Sequence, residues 1–99
     1  MSAKIPIPRE KIAEFCRRYH IRSLALFGSV LRDDFGPDSD VDVLVEFEAG
    51  HVPGLAFFDM KAELSQIIGR NVDLSTLQFL SRYFRDEVLN EAEEQYVAP

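Results

Sequence analysis

The sequence predicts one small domain of the α/β or α+β class, with a mixed β-sheet of three to four strands flanked by helices. Apolar residues at helical spacing and at strand spacing alternate along the 99 residues, in the order αββαβα. The chain contains no internal repeat or low-complexity tract, and its length suits one modest hydrophobic core. We therefore treat residues 1–99 as a single domain.

The first half of the chain predicts one helix and two strands. Pro8 suits the first turn of a helix, and apolar residues at helical spacing place that helix at about residues 8–20. The apolar run 23–27 ends at a glycine and is typical of a buried strand. Residues 40–47 alternate between apolar and polar side chains, which is the period of a second strand. Residues 30–38 connect the two strands.

The second half predicts a helix, a short strand and a closing helix. An apolar stripe places the first of these helices at about residues 54–68, with its end at Gly69. Residues 71–75 form a third strand, and apolar residues at i, i+4 spacing predict a final helix at about 78–96. Three phenylalanines could lie in the core or at an interface, and we assign them to the core of so small a domain: Phe57, Phe58 and Phe79.

Composition narrows the classes of function. The formal net charge of −6 argues against general nucleic-acid binding, which depends on Lys and Arg neutralising phosphates. Acidic clusters instead suggest a cation or a basic partner. No apolar run approaches a membrane span and no signal-peptide core is present, so we expect a cytoplasmic protein without a membrane anchor. The single cysteine, Cys16, agrees with a reducing compartment, and we interpret it as a small buried hydrophobe.

Two aspartates lie inside a strand that is otherwise apolar. Asp40 and Asp42 project from the same side of that strand, about 7 Å apart along the backbone, while the alternating valines face the core. Carboxylates this close repel each other unless they share a proton or a cation, and Mg²⁺ suits one or two carboxylates together with water and substrate phosphates. Asp73 has the equivalent outward position on the third strand. If the two strands are neighbours, three carboxylates could hold two metal ions about 3.5–4 Å apart.

Gly28 and Ser29 follow the first strand and are candidates for binding phosphate. Glycine allows a phosphate to approach the backbone closely, and Ser29 can offer both a hydroxyl and a backbone N–H group. Arg32 is a candidate for neutralising phosphate charge, although an ordinary solvated arginine is an equally good interpretation.

Other polar residues have simpler interpretations. Ser39 fits a turn, or could order the carboxylate of Asp40. An EF-hand is excluded because the sixth and twelfth positions of the loop, which require Gly and Glu, hold Val43 and Ala49. Three further aspartates are interpreted as turn and cap residues: Asp33, Asp34 and Asp38.

The motif as a whole resembles a known family. Gly28-Ser29, ten further residues and Asp40-Val41-Asp42 match the GS-x10-DxD signature of the polymerase-beta-like nucleotidyltransferase superfamily. The flanks LALFGSVLRDDF and PDSDVDVLVEF resemble the minimal nucleotidyltransferases of bacteria and archaea. The resemblance extends to NVDLST and the closing amphipathic segment, so it covers nearly the whole chain and implies the polymerase-beta-like fold.

The resemblance also implies a role for each matching residue. Asp40 and Asp42 would ligate two Mg²⁺ ions, and Asp73 would complete the metal site on the nucleophile side and help to deprotonate the acceptor hydroxyl. Gly28 and Ser29 would hold the β- and γ-phosphates. The reaction would move a nucleoside monophosphate, with AMP from ATP as the expected case, onto a hydroxyl and release pyrophosphate.

A partner follows from the same resemblance. Small members of the family are commonly paired with a helical HEPN toxin, which they neutralise by adenylylating a tyrosine. Two alternatives stay open: a non-enzymatic module that blocks its partner by binding, and a small-molecule nucleotidyltransferase whose acceptor enters a dimer cleft. The chain departs from many relatives by carrying Asp33 where they have glycine, and we expect this side chain to point outward. We also expect no second, acceptor-binding domain within 99 residues, so we expect another chain to present the acceptor.

Overall fold

A mixed β-sheet organises the chain. The computed structural model describes residues 5–32, 35–51, 53–77, 80 and 82–99. Within these residues the strands are β1 (Ile21–Phe27), β2 (Val41–Phe47), β3 (Val72–Ser75) and β4 (Glu93–Val97). Their order across the sheet is β3-β2-β1-β4, with β1 antiparallel to both β2 and β4, and β2 parallel to β3. The predicted fold class is confirmed.

Helices enclose one face of this sheet. Helix α1 (Arg9–Arg18) and helix α2 (Ala56–Ile68) pack against the face that carries the alternating valines of β2. The predicted bounds of both helices are correct to within two residues. Gly69 ends α2 in a left-handed conformation with φ of 79°, which glycine adopts without strain. The fully buried side chains from α1, α2, β1 and β2 include Ile12, Phe15, Leu24, Leu26, Val41, Val43, Met60 and Leu64.

The buried residues bear out two interpretations and contradict one. Cys16 is fully buried, and this burial raises the pKa of its thiol to about 12, as expected of a small hydrophobe. Phe57 packs against the core from a partly buried position. Phe58 is 71% exposed, so its assignment to the core is wrong. Phe79 lies outside the described residues.

The predicted closing helix is wrong in its last turn. Helix α3 covers Arg82–Glu91, and the chain then continues as β4 rather than as helix to residue 96. Leu24 of β1 pairs with Tyr96, and the N–H of Ala98 donates to the carbonyl of Arg22 at 2.7 Å. The physical reason is that β2 covers only one edge of β1, and β4 supplies hydrogen bonds to the other edge. The predicted start at residue 78 lies outside the described residues.

None of the helices in the described ranges is long and apolar enough to cross a bilayer.

Candidate active site

The end of β1 and the start of β2 bring a glycine against an aspartate. Phe27 pairs with Asp42 across the antiparallel strands, and the chain then enters a 3-10 turn at Gly28–Leu31. A Cβ atom at Gly28 would lie 2.3 Å from Oδ2 of Asp42, and the φ angle of Gly28 is +77°. Both the close approach and the backbone angle require glycine here. The N–H of Arg32 closes the turn on the carbonyl of Ser29 at 2.9 Å.

The parallel pairing of β2 with β3 gathers the predicted carboxylates at one edge. Asp42 is paired in register with Asp73, as expected if these strands are neighbours. Asp40 precedes β2 directly, and its carboxylate accepts a hydrogen bond from Nδ2 of Asn71 at 2.9 Å. The carbonyl of Asn71 also accepts the N–H of Val41 at 2.9 Å. Asn71 therefore fixes both the backbone and the side chain beside Asp40, a role that the sequence analysis did not assign.

The neighbouring carboxylates affect the pKa of Asp42. Burial, followed by the negative charges of Asp73 and Asp40, raises the pKa of Asp42 to about 6, while the guanidinium of Arg32 opposes the increase. Asp42 is only partly exposed, so water compensates its charge incompletely. A cation beside Asp42 would compensate the carboxylate for its lost hydration and would reduce its repulsion by Asp73 and Asp40.

The donor set fits Mg²⁺. In the described part of the chain, no group of three or more His, Cys, Asp or Glu side chains is drawn together tightly enough to enclose a metal ion. An open arrangement of carboxylates is compatible with Mg²⁺, which retains several waters and binds through one or two carboxylates together with substrate phosphates. Asp42 and Asp73 on neighbouring strands, with Asp40 directly before β2, are carboxylates that could supply hard oxygen ligands of this type.

The connection before Asp40 is braced by an arginine that the sequence analysis did not single out. Nη2 of Arg70 donates to the carbonyls of Gly36 and Ser39, at 2.6 and 3.0 Å, and its guanidinium stacks 4.4 Å from the ring centre of Phe35. Oγ of Ser39 accepts the N–H of Gly36 at 3.0 Å, so Ser39 is a turn residue. Asp38 is exposed in the same turn. These contacts hold the start of β2 in place.

A fourth carboxylate lies beside the predicted phosphate-binding residues. Oε1 of Glu91, the last residue of α3, accepts the N–H of Gly28 at 2.9 Å. Nη2 of Arg32 donates to Oε2 and Oε1 of the same carboxylate at 2.9 and 3.2 Å. Burial alone would raise the pKa of Glu91, but the hydrogen bonds from Arg32 and Gly28 outweigh it and lower that pKa. Asp33 and Asp34 lie outside the described residues.

A cavity of about 560 Å³ lies away from these groups. Phe47, Phe57 and Phe58 line it at the carboxyl end of β2, whereas Asp42 lies near the beginning of that strand. The cavity contains none of the predicted site residues, so we do not assign the chemistry to it.

Comparison with known proteins assigns the chain to a family. The model of the nucleotidyltransferase domain family matches residues 9–96. The chain belongs to this family. The match confirms the sequence-based resemblance and the assignment to nucleotidyltransferase enzymes.

Two relatives of this nucleotidyltransferase come from archaea. A candidate protein adenylyltransferase of Methanocaldococcus jannaschii is 32% identical over 84 residues, which is 85% of this chain and 89% of the relative. The protein adenylyltransferase MntA of Thermococcus cleftensis is 35% identical over 79 residues, which is 79% of this chain and 78% of the relative.

Solved structures share the fold of this nucleotidyltransferase. A candidate minimal nucleotidyltransferase is 36% identical, with a TM-score of 0.70 and coverage of 86% of each chain. A complex of an MNT antitoxin with a tri-AMPylated HEPN toxin from Shewanella oneidensis gives a TM-score of 0.65 at 21% identity, covering 91% of this chain and 70% of the other. At that identity the second likeness shows the fold alone.

Proposed function

We propose that this nucleotidyltransferase is a Mg²⁺-dependent antitoxin that transfers AMP from ATP to a tyrosine hydroxyl of a HEPN toxin. The observation that carries the proposal is the sheet edge where Asp42 faces Asp73 across parallel strands and touches the Gly28 turn. Carboxylates on neighbouring strands next to a glycine turn would provide ligands for cations and an approach for phosphates in one place.

Each site residue has a chemical task in this proposal. Asp40 and Asp42 would hold two Mg²⁺ ions and Asp73 would hold the one nearer the acceptor; when bound, these ions neutralise the triphosphate and acidify the acceptor hydroxyl. Gly28 and Ser29 would donate hydrogen bonds to the β- and γ-phosphates.

In the proposed reaction one bond to the α-phosphorus forms and another breaks. Asp73 would help to remove the proton of the acceptor hydroxyl, whose oxygen then bonds to the α-phosphorus. The bond from the α-phosphorus to the bridging oxygen breaks, and pyrophosphate leaves. Asn71 would keep the Asp40 carboxylate oriented during this exchange, because it already donates to that group at 2.9 Å.

The nature of the acceptor rests on the relatives. One relative is named a protein adenylyltransferase, and one protein of the same fold is an antitoxin bound to an AMPylated HEPN toxin. Consumption of ATP agrees with the cytoplasm as the expected compartment.

A second candidate is neutralisation of the partner by binding alone. It is favoured by helix α3, where the side chains of Tyr83, Phe84 and Leu89 are 91%, 58% and 52% exposed. Large apolar side chains exposed on one helix are available for contact with another protein.

Growth of cells that produce the HEPN partner separates these two functions. Wild-type protein should restore growth, Asp42→Asn should fail, and the matched control Asp38→Asn, which removes an exposed charge from the neighbouring turn, should restore it. Rescue by Asp42→Asn at wild-type protein levels would overturn the transferase proposal in favour of binding alone.

A further inference from the structure

The contact between Glu91 and the Gly28 turn has no place in the mechanism above. Glu91 ends α3, and its carboxylate reaches 63 residues back along the chain to accept the N–H of Gly28. The same carboxylate accepts two hydrogen bonds from the guanidinium of Arg32. A carboxylate thus occupies donors on Gly28 and Arg32, two of the residues that are sequence-based candidates for binding phosphate.

We propose that Glu91 is an internal substitute for a substrate phosphate, and that the nucleotide must displace its carboxylate in order to bind. The inference rests on the proposed function, because it takes Gly28 as a phosphate-binding group, and it extends that role to Arg32, a sequence-based candidate for neutralising phosphate charge. It adds a competing anion that belongs to the protein itself.

The chemistry of the two anions is alike. Carboxylate and phosphate oxygens both accept short hydrogen bonds from backbone N–H groups and from the planar guanidinium of arginine. Gly28 has a single N–H, already given to Oε1 of Glu91 at 2.9 Å. A phosphate oxygen cannot take that N–H at full strength until Glu91 releases it.

The charges at this site indicate that a phosphate replaces the Glu91 carboxylate and does not bind beside it. Glu91 lies close enough to Asp42 for its negative charge to add to that of Asp73 and Asp40. A triphosphate would bring further negative charge to the same donors. Like charges that share one set of donors repel, so the weaker-held anion leaves.

The position of Glu91 in the helix supports the same conclusion. A carboxylate in the last turn of a helix meets the negative end of the helix dipole, which is unfavourable. The contacts with Gly28 and Arg32 therefore hold Glu91 where the helix alone would not favour it. Its side chain is 29% exposed, so it can rotate toward solvent when a phosphate replaces it.

Occupation by Glu91 weakens the apparent affinity for the nucleotide. Only molecules in which the carboxylate has left are competent to bind, and the apparent dissociation constant rises in inverse proportion to that fraction. Substitution by glutamine removes the charge but keeps the shape. Glu91→Gln should therefore bind Mg²⁺ and AMP-PNP roughly three to ten times more tightly than wild type, the range expected for loss of a charged hydrogen bond in a partly exposed site.

Calorimetric titration of three proteins with AMP-PNP and Mg²⁺ tests this inference. Glu91→Gln should bind more tightly, and Glu87→Gln, which removes an exposed charge one turn earlier in α3, should bind like wild type. Glu91→Asp keeps the charge on a shorter side chain and should also bind more tightly. Equal or weaker binding by Glu91→Gln, with unchanged thermal stability, would overturn the inference; weaker binding would make Glu91 a positioning residue for Arg32.

A second readout separates failure of the inference from failure of the proposed function. The amide resonance of Gly28 should shift in Glu91→Gln, where its N–H loses a charged acceptor, and it should also shift in wild type when sodium tripolyphosphate, added without metal, takes the place of the carboxylate. An unmoved Gly28 resonance at saturating tripolyphosphate would overturn the exchange. If wild type transfers AMP and Glu91→Gln gains no affinity, the inference fails alone; if no protein binds AMP-PNP or transfers AMP, the proposed function fails with it.

Discussion

Replacing Asp42 by asparagine should stabilise the metal-free protein while abolishing AMP transfer. Burial and the charges of Asp73 and Asp40 raise the pKa of Asp42 to about 6, compared with an ordinary value of 3.8. At neutral pH the folded protein therefore carries an ionised carboxylate in surroundings that disfavour its charge. Asparagine has nearly the same shape and no charge, so it removes this unfavourable interaction.

The magnitude follows from the pKa. A difference of one between the folded and unfolded pKa corresponds to about 1.4 kcal/mol. The increase in the pKa of Asp42 therefore sets an upper value of about 3 kcal/mol for the gain in the free energy of unfolding. Asp42 is partly exposed, and solvent screening reduces the expected gain in the free energy of unfolding to about 1–2 kcal/mol.

The pH dependence has a definite sign. An acid whose pKa is raised by folding favours the folded state below its unfolded pKa, and this contribution is lost as pH rises through the folded pKa. The stability difference between Asp42→Asn and wild type should therefore be small near pH 4 and reach its full value above pH 6 to 7.

Urea denaturation in the presence of a chelator measures this difference, with Asp38→Asn as the control for loss of an exposed carboxylate. Asp42→Asn should be more stable than wild type at pH 7.5 and about equally stable at pH 4. A variant that is less stable than wild type at pH 7.5, or a difference that does not change with pH, would refute the reasoning from burial and repulsion.

Three further results are expected. Gly28→Ala should lower the free energy of unfolding by about 1–3 kcal/mol from its positive φ, and by more from the clash with Asp42; Gly50→Ala, with a φ of +82° and open space around it, isolates the backbone contribution in urea denaturation. Asn71→Ala should raise the Mg²⁺ concentration for half-maximal transfer about tenfold, because Asp40 loses its orienting donor; an unchanged Mg²⁺ titration would contradict that role. Chelation should stop transfer, and added Mg²⁺ should restore it; activity that survives chelation would exclude the metal-dependent mechanism.

Much of the fold could be predicted because local pattern and tertiary environment agree. The alternation in β2 places valines in the core and aspartates on the other face, and the i to i+2 rule needs no knowledge of the rest of the chain. The sequence predicts that Asp73 lies beside Asp42 only if β2 and β3 are neighbours. The structure shows that they are, in a parallel register that pairs these two residues.

The elements that sequence reasoning missed depend on contacts between distant parts of the chain. The segment Glu93–Val97 continues an apolar spacing that suits a helix, but the uncovered edge of β1 makes it a strand. The sequence contains no signal that distinguishes Glu91 from the other glutamates of the chain. Its hydrogen bond with Gly28 forms only because the fold brings the end of α3 to the Gly28 turn. Asn71 carried one usable signal, its position on the same strand face as Asp73.

The intact mass of the HEPN partner, measured after incubation with this protein, ATP and Mg²⁺, decides whether the protein transfers AMP to it. The partner should gain one or more AMP units with wild type and with Asp38→Asn, and none with Asp42→Asn. An unchanged partner mass together with a stable complex on a sizing column would contradict the transferase mechanism and show that neutralisation proceeds by binding.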